Sequence, residues 1–526
     1  MKFDWSLPYP SGREAVQARN VVATSQPLAA QAGLEMMQRG GNAVDAAIAG
    51  AITLTVVEPC SNGIGSDAFA IVGDETGLHG LNASGKSPAM FDGDALGGEP
   101  VPATGWLPVT VPGAVSGWAA LSKKFGSLAF ETLFEPAIRY ANEGYLVSRQ
   151  TAAGWARGAK RYAQFPAWME TFTTNGIPPQ PGECVKLPDH GATLAEIAKT
   201  QGESFYRGKL ARCMHEASVN EGGLLRLDDL ASHQCQWVEP IAVDCGNGKL
   251  NELPPNGQGI AALIAMGILK CGDMDLSDCD APEILHYQIE AMKRAFADTH
   301  AFVADPEISG TCEELLQPSR FARHADTITG DAIACEKGTL PRYSSTVYLA
   351  AGDASGRLVS FIQSNFEGFG SGVVVPNTGI ALQNRGLGFS TDPEHPNCVA
   401  PKKRPFHTII PAMLTDQNGP RMALGVMGGP MQPQGHLQVA CRVVFANMNP
   451  QAALDAPRWR LLGGCKVAIE PGFAESVYEG LRKRGHDLSI AKERSVSFGG
   501  GQAVYRLEDG FVAASDQRRD GQAVGM

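Results

Sequence analysis

"YSSTVYLAAGDASGRLVSF" runs from Tyr343 to Phe361. It reads as a strand, a turn at "GDASG" (Gly352–Gly356) and a second strand. Three hydroxyls, Ser344, Ser345 and Thr346, crowd the start of the first strand. Either they are turn residues or one of them is reactive. The downstream sequence bears on the choice: "SFIQSNFEGFGSGVVVPNTGIALQNRGLGF", then "KKRPFHTIIP" and "GVMGGPMQPQG". "FGSG" and "MGG" offer backbone N–H groups with no side chain in the way, and such groups stabilise an oxyanion during amide cleavage. A hydroxyl nucleophile also needs a base. No G-x-S-x-G elbow supplies one. If the chain is cut before Thr346, the new α-amine, with a pKa of about 7.7–8.0, sits on the nucleophile itself. These local features alone leave Thr346 one strand-initial hydroxyl among several.

The rest of the chain narrows the function classes. It has 526 residues, a net charge of -11 and only a short basic cluster, Lys402–Arg404, which argues against a nucleic-acid partner. The apolar run "AVDAAIAGAITLTVV" (Ala43–Val57) carries Asp45 and is too short to span a bilayer, so no membrane partner is expected. Residues 1–20 lack an apolar core and a small-residue cleavage site, which predicts a cytoplasmic protein. The twelve cysteines include no CxxC pair and no zinc-ligand spacing with histidine. They read mostly as buried small hydrophobes in a reducing compartment, with no metal or other cofactor expected.

Length alone predicts about three domains. Gln26–Gln38 has helical periodicity, Gly40-Gly41 stops it, and Asn42 caps the next helix. "ITLTVVEP" fits either the end of that helix or a buried strand. "SDAFAIVGDETGLHGLNA" reads as a hairpin around Asp74–Gly77. Residues 117–302 read as mainly helical, and 309–341 as irregular. Strands dominate afterwards, with helices from Gly435 and over "FAESVYEGLRKRG". Mixed helices and late antiparallel hairpins favour layered sheets and helices over a doubly wound parallel sheet. "GGNAVD" and "SNGIGSD" match no phosphate-loop pattern. The histidines of "QPQGHLQ" and "LHYQIE" stand alone.

In combination these motifs are specific. "VVATSQPLAAQAGLEMMQRGGNAVDAAIAGAITLTVVEP", "SNGIG", "VPGAVSGW", "TVYL", "FGSG", "NTGIALQN", "KKRPFHTIIP" and "VMGG", in this order, resemble the γ-glutamyltransferase family from about Asn20 to Asp516. The resemblance implies an α+β fold, the four-layer αββα sandwich of N-terminal-nucleophile hydrolases. It implies a precursor that cuts itself between Ser345 and Thr346. The products would be a large subunit, 1–345, and a small one, 346–526, which stay together as one domain and can pair into a dimer of such units. Thr346 falls on the nucleophile, Ser364 on the hydroxyl that bonds it, and Gly428 and Gly429 on the oxyanion pair. His407 and Thr408 fall on the substrate-binding Ser-Ser pair, with Asn365 and Ser84 at neighbouring substrate positions.

The departures define the substrate expectation. Ser84 stands where typical transferases carry the Arg that grips the γ-glutamyl carboxylate. Gly388 stands where they carry the Asp that grips the amino group. Losing charged partners for a buried ion is costly, so the usual γ-glutamyl recognition is disfavoured. Arg385 appears in the binding loop instead and can hold a carboxylate through two parallel bonds; a structural ion pair is the alternative. Lys86 is a weaker candidate. Family members with such departures include amidohydrolases of oxamate and acylases of glutaryl side chains. The expected activity is therefore hydrolysis of a small carboxylate-bearing amide, with oxamate, giving oxalate and ammonia, placed first. A rewired γ-glutamyltransferase, a glutaryl-type acylase and an uncleaved, silent scaffold are the alternatives.

Overall fold

A computed structural model describes residues 12–310, 312–335 and 345–526. Tyr343, Ser344 and residues 1–11 of the amino-terminal stretch lie outside them. Two antiparallel seven-stranded sheets face each other. The first contains, in spatial order, Gln522–Gly525, Val21–Thr24, Ser345–Gly352, Leu358–Phe366, Asp67–Asp74, Gly77–Ala83 and Gln236–Val238. The second contains Val16–Ala18, Phe511–Ser515, Gly500–Arg506, Gly419–Met427, Ala412–Asp416, Gly248–Glu252 and Ile241–Cys245.

Alternation along Ser345–Gly352 builds the layers, because successive strand side chains point to opposite faces. Val347, Leu349 and Ala351 pack with the helices Pro27–Gln38 and Ala43–Val57. Tyr348 and Ala350 point between the sheets, against Met413, Ala423 and Met427. Gly425 permits this approach, since a Cβ there would lie 2.3 Å from the Tyr348 ring. On the outer face of the second sheet, Gly259–Cys271, Pro282–Phe302 and Met431–Val444 bury the fourth layer. The result is the expected αββα sandwich, in place of the three domains that length alone predicts.

Asn42 caps Ala43–Val57 through a reciprocal pair with Asp45, and that helix is buried along its whole length. "ITLTVV" is therefore helical. Uniform burial, rather than one apolar face, is why its periodicity fits both readings. The hairpin closes at Asp74–Gly77 as expected. The reading of 117–302 as mainly helical misses three short strands in "QWVEPIAVDCGNGKLNEL", two of which, Gln236–Val238 and Ile241–Cys245, are the edge strands of their sheets. The irregular stretch also holds the helix Pro318–Asp326, pinned where Arg320 and His324 both donate to Asp298. All twelve cysteines are unpaired, but only Cys60, Cys245, Cys279 and Cys441 are buried. The expectation of a mostly buried set is thus corrected: the other eight are exposed or only partly buried. Among the described residues, no helix is long and apolar enough to cross a membrane.

Candidate active site

Thr346 stands fully buried at the head of its strand. The pairing register with Leu358–Phe366 slips between Ser345 and Val347. A bulge of this kind re-aims a side chain at a strand end. Thr346 Oγ1 donates to Ser364 Oγ at 3.2 Å, and Ser364 Oγ donates to the Ser345 carbonyl at 2.7 Å. The Phe366 N–H donates to the same Ser364 oxygen at 2.8 Å and fixes it. One hydroxyl thus touches both the nucleophile and the carbonyl of the Ser345–Thr346 peptide. That geometry can orient the first and polarise the second.

Gly428 and Gly429 form the corner between Gly419–Met427 and Met431–Val444. Their φ values of 127° and 59° lie where a side chain is strained, which explains the glycines. Their carbonyls accept from Met431 and Gln432, whereas neither N–H donates to any described residue. Gly428 and Ser345 line the same cleft, of about 820 Å³. Two uncommitted N–H groups beside a buried hydroxyl are the ingredients of an oxyanion hole.

Behind this centre lies a buried cation. Arg385, only 1% exposed, opens a 3-10 turn, and its Nη1 donates to Thr408 Oγ1 at 2.8 Å. Its guanidinium lies 4.9 Å from the Phe366 ring centroid. Nε and Nη2 are buried without a partner, and no described carboxylate reaches ion-pair distance. The structural ion-pair alternative is therefore not what the fold builds. Two unpartnered N–H-bearing nitrogens on one guanidinium have the geometry that can hold a carboxylate through two parallel hydrogen bonds. Gln258, which nothing in the sequence singled out, ties this pocket to the glycine corner. Its Nε2 donates to Thr408 O at 2.6 Å and Gly429 O at 2.8 Å.

Asp67 organises the back of the pocket. It accepts from the Gly113 N–H at 3.0 Å and from His407 Nε2 at 3.1 Å. Burial, reinforced by Arg385, holds the His407 imidazole well below its ordinary value, so it is neutral. The Ile409 N–H donates to His407 Nδ1, which leaves Nε2 to carry the proton. Burial lowers Arg385 to about 9 against the pull of Asp67, so it stays cationic at neutral pH. Burial raises Asp67 to about 7, with Arg385 opposing. Between the ordinary 3.8 and this value, the folded chain keeps a proton that the unfolded chain has released. The Asp67 contribution to stability is thus complete at low pH and is lost as pH rises through about 7. Asp67→Asn removes that loss. In thermal melts, its Tm relative to the parent chain is expected to climb from pH 4 to pH 8.

The other expected site residues divide. Asn365 Oδ1 accepts from Ser66 at 2.7 Å, while its Nδ2 is buried without a partner. His407 backs Asp67 and packs on Phe69, so it supports the pocket from behind. Ser84 donates to Asn82 Oδ1 at 2.7 Å, inside a buried amide network with Asn256. Its hydroxyl proton is committed there, which makes it scaffold. Lys86 pairs with Glu307 at 2.5 Å on a partly exposed face, so its candidacy as a carboxylate anchor is corrected. The lone histidines also find partners: His436 meets Glu252 at 2.7 Å, and His286 meets His486 at 2.8 Å. His286, His486 and Glu290 come close enough to share an ion, but Lys293 and Arg294 already occupy the Glu290 carboxylate.

The sequence profile of the gamma-glutamyltranspeptidase family matches residues 29–526. The chain is 34% identical to the glutathione hydrolase-like YwrD proenzyme of Bacillus subtilis, over 98% of this chain and all of that one. It is also 34% identical to the oxamate amidohydrolase proenzyme of Klebsiella pneumoniae, over 97% and 99% of the two chains. The crystal structure of cephalosporin acylase from Bacillus halodurans superposes with a TM-score of 0.96 at 45% identity, covering 100% and 99%. Fold, motif order and full-length similarity agree: the chain belongs to the gamma-glutamyltranspeptidase family and is a hydrolase of C–N amide bonds.

Proposed function

We propose that the precursor cuts itself between Ser345 and Thr346 and then hydrolyses amides whose acyl part ends in a carboxylate. The observation that carries the substrate reading is the buried, half-satisfied Arg385 fork. In the cut, Thr346 Oγ1 attacks the Ser345 carbonyl, which Ser364 polarises. As the C–O bond forms, the Ser345–Thr346 C–N bond breaks and the freed Thr346 α-amine takes the hydroxyl proton; water then hydrolyses the ester, giving a Ser345 carboxylate and a small subunit, 346–526, that stays with 1–345. In turnover the α-amine takes the hydroxyl proton, and Oγ1 bonds to the substrate carbonyl carbon. The Gly428 and Gly429 N–H groups hold the oxyanion. The C–N bond breaks, the amine leaves with that proton, and water hydrolyses the acyl ester. Arg385, with Thr408 and Asn365 beside it, receives the acyl carboxylate.

Oxamate is the smallest substrate with this chemistry and is our first choice, followed by longer dicarboxylic monoamides such as glutaryl amides. A γ-glutamyl substrate would also need a grip on its amino group. At Gly388, where the family places that acid, a Cβ would fall 2.2 Å from the Phe406 carbonyl, so no side chain fits without a backbone shift. A panel of amides, assayed on the matured protein for released amine, tests the reading. Carboxylate-ended acyl groups should be cleaved in preference to neutral ones of equal length, and the opposite order rejects it. Ser364→Ala should slow self-cleavage by roughly 10–100-fold, because the orienting hydroxyl is lost. Ser364→Thr should restore it, as time courses on denaturing gels would read.

A further inference from the structure

Phe366 is held in a conformation that its side chain resists. Its φ is 76°, in the left-handed region, where a bulky residue is a true outlier. It ends the strand Leu358–Phe366, is only 7% exposed and pairs in register with Ser345, the residue before Thr346. Strain of this kind persists only where the surroundings over-determine it.

Asn384 supplies much of that constraint. Its N–H donates to the Asn365 carbonyl at 3.2 Å, and its Oδ1 accepts from the Glu367 N–H at 3.2 Å. One residue thus grips the chain immediately before and immediately after Phe366. Further along, the Gly370 N–H donates to the Glu367 carbonyl at 2.6 Å, and Glu367 pairs with Arg161. The Tyr162 hydroxyl reaches the Gly368 and Gly370 carbonyls at 2.5 and 2.8 Å. Asn384 directly precedes Arg385, so the clamp and the buried cation belong to one piece of chain.

The forced turn places two groups. The Phe366 N–H meets Ser364 Oγ at 2.8 Å, on the nucleophile side. The Phe366 ring meets Arg385, with the guanidinium carbon 4.9 Å from the ring centroid. An aromatic face attracts a cation at that range, more strongly where water is excluded. Arg385 spends one side-chain hydrogen bond, on Thr408, and Asp67 acts on it only from beyond ion-pair distance. An acid in place of the ring would neutralise the cation and compete with an incoming carboxylate. The ring holds the cation and leaves Nε and Nη2 unmet.

We infer that Phe366 is a positioning residue for the substrate carboxylate: Asn384 forces its backbone into the left-handed region, so that its ring seats Arg385 while its N–H fixes Ser364. This rests on the proposed role of Arg385 and concerns what keeps that cation in place.

Three substitutions on the matured protein test it. Phe366→Leu keeps apolar bulk and loses the π face. Phe366→Gly loses the ring and relieves the backbone. Phe366→Tyr keeps the ring. Oxamate, succinamate and glutaramate are assayed against acetamide, butyramide and pentanamide, the neutral amides of equal acyl length. Phe366→Leu and Phe366→Gly should each raise KM for the carboxylate-ended amides about tenfold, with a smaller change in kcat, and Phe366→Tyr should restore it. A parent-like KM after Phe366→Gly overturns the inference, because the residue would then act through its backbone alone. Equal losses on charged and neutral amides overturn it too, because the residue would then only hold the fold. If the parent protein shows no preference for carboxylate-ended amides, the reading of Arg385 fails by itself, and thermal melts decide for Phe366. Arg385→Met should then raise Tm more in the Phe366→Leu background than in the parent, because the cation there has lost its seat. Equal Tm changes in the two backgrounds overturn the inference.

Discussion

Thr346→Ala is expected to leave a single 55.6 kDa chain with amide hydrolysis reduced by roughly 10⁴-fold or more. The effect is large because one oxygen serves twice. Oγ1 attacks the Ser345 carbonyl in the cut and the substrate carbonyl in turnover, and without the cut there is no α-amine to act as base. The fold should survive. The lost atoms are one hydroxyl making one hydrogen bond, at 3.2 Å to Ser364, worth about 1 kcal/mol, and one buried methyl worth about the same. Ser364 keeps its Phe366 and Ser345 partners. Thr346→Ser should still cut and turn over, since it retains the oxygen. Gel mobility and released amine, read on the same samples, check both statements.

Arg385→Met is expected to lower kcat/KM for carboxylate-ended amides by roughly 10²–10³-fold, while changing neutral amides of equal length little. Truncating one partner of a buried charge pair costs about 2–5 kcal/mol, and here the missing partner is the substrate. The same change should not destabilise the empty protein. Arg385 offsets its burial with a single side-chain hydrogen bond, to Thr408, and leaves Nε and Nη2 unmet. Replacing a half-satisfied buried ion by an apolar side chain of similar length is neutral or stabilising. A loss of substrate discrimination together with an unchanged or higher Tm separates an anion anchor from a structural arginine. Equal losses for charged and neutral amides would show that Arg385 holds the fold instead.

Much of this was legible in the sequence, for identifiable reasons. The strand pair at Ser345–Phe366 is two β-rich apolar runs separated by the Gly- and Asp-containing turn "GDASG", so its hairpin could be read directly. The Asn42 cap and the Asp74–Gly77 turn depend on neighbours three residues apart or fewer. The order of motifs around Thr346, Ser364 and Gly428-Gly429 carried the site. Short edge strands such as Val16–Ala18, Gln236–Val238 and Gln522–Gly525 were not readable, because three or four residues set no period. Gln258 was invisible for another reason. Its role comes from two carbonyls, at 408 and 429, brought together only by the sandwich. The commitment of Lys86 to Glu307 and of Ser84 to Asn82 likewise depends on tertiary partners that residue type does not announce.

Every step proposed above depends on the chain cutting its own Ser345–Thr346 peptide to create the nucleophile. Purified full-length protein, run on a denaturing gel and followed by amino-terminal sequencing of the smaller fragment, tests that dependence without a substrate. Two fragments that co-purify are expected, the smaller beginning Thr346-Val347-Tyr348-Leu349. A single uncut chain that nevertheless hydrolyses amides, or a smaller fragment beginning at any other residue, would refute self-cleavage at this bond as the source of the nucleophile.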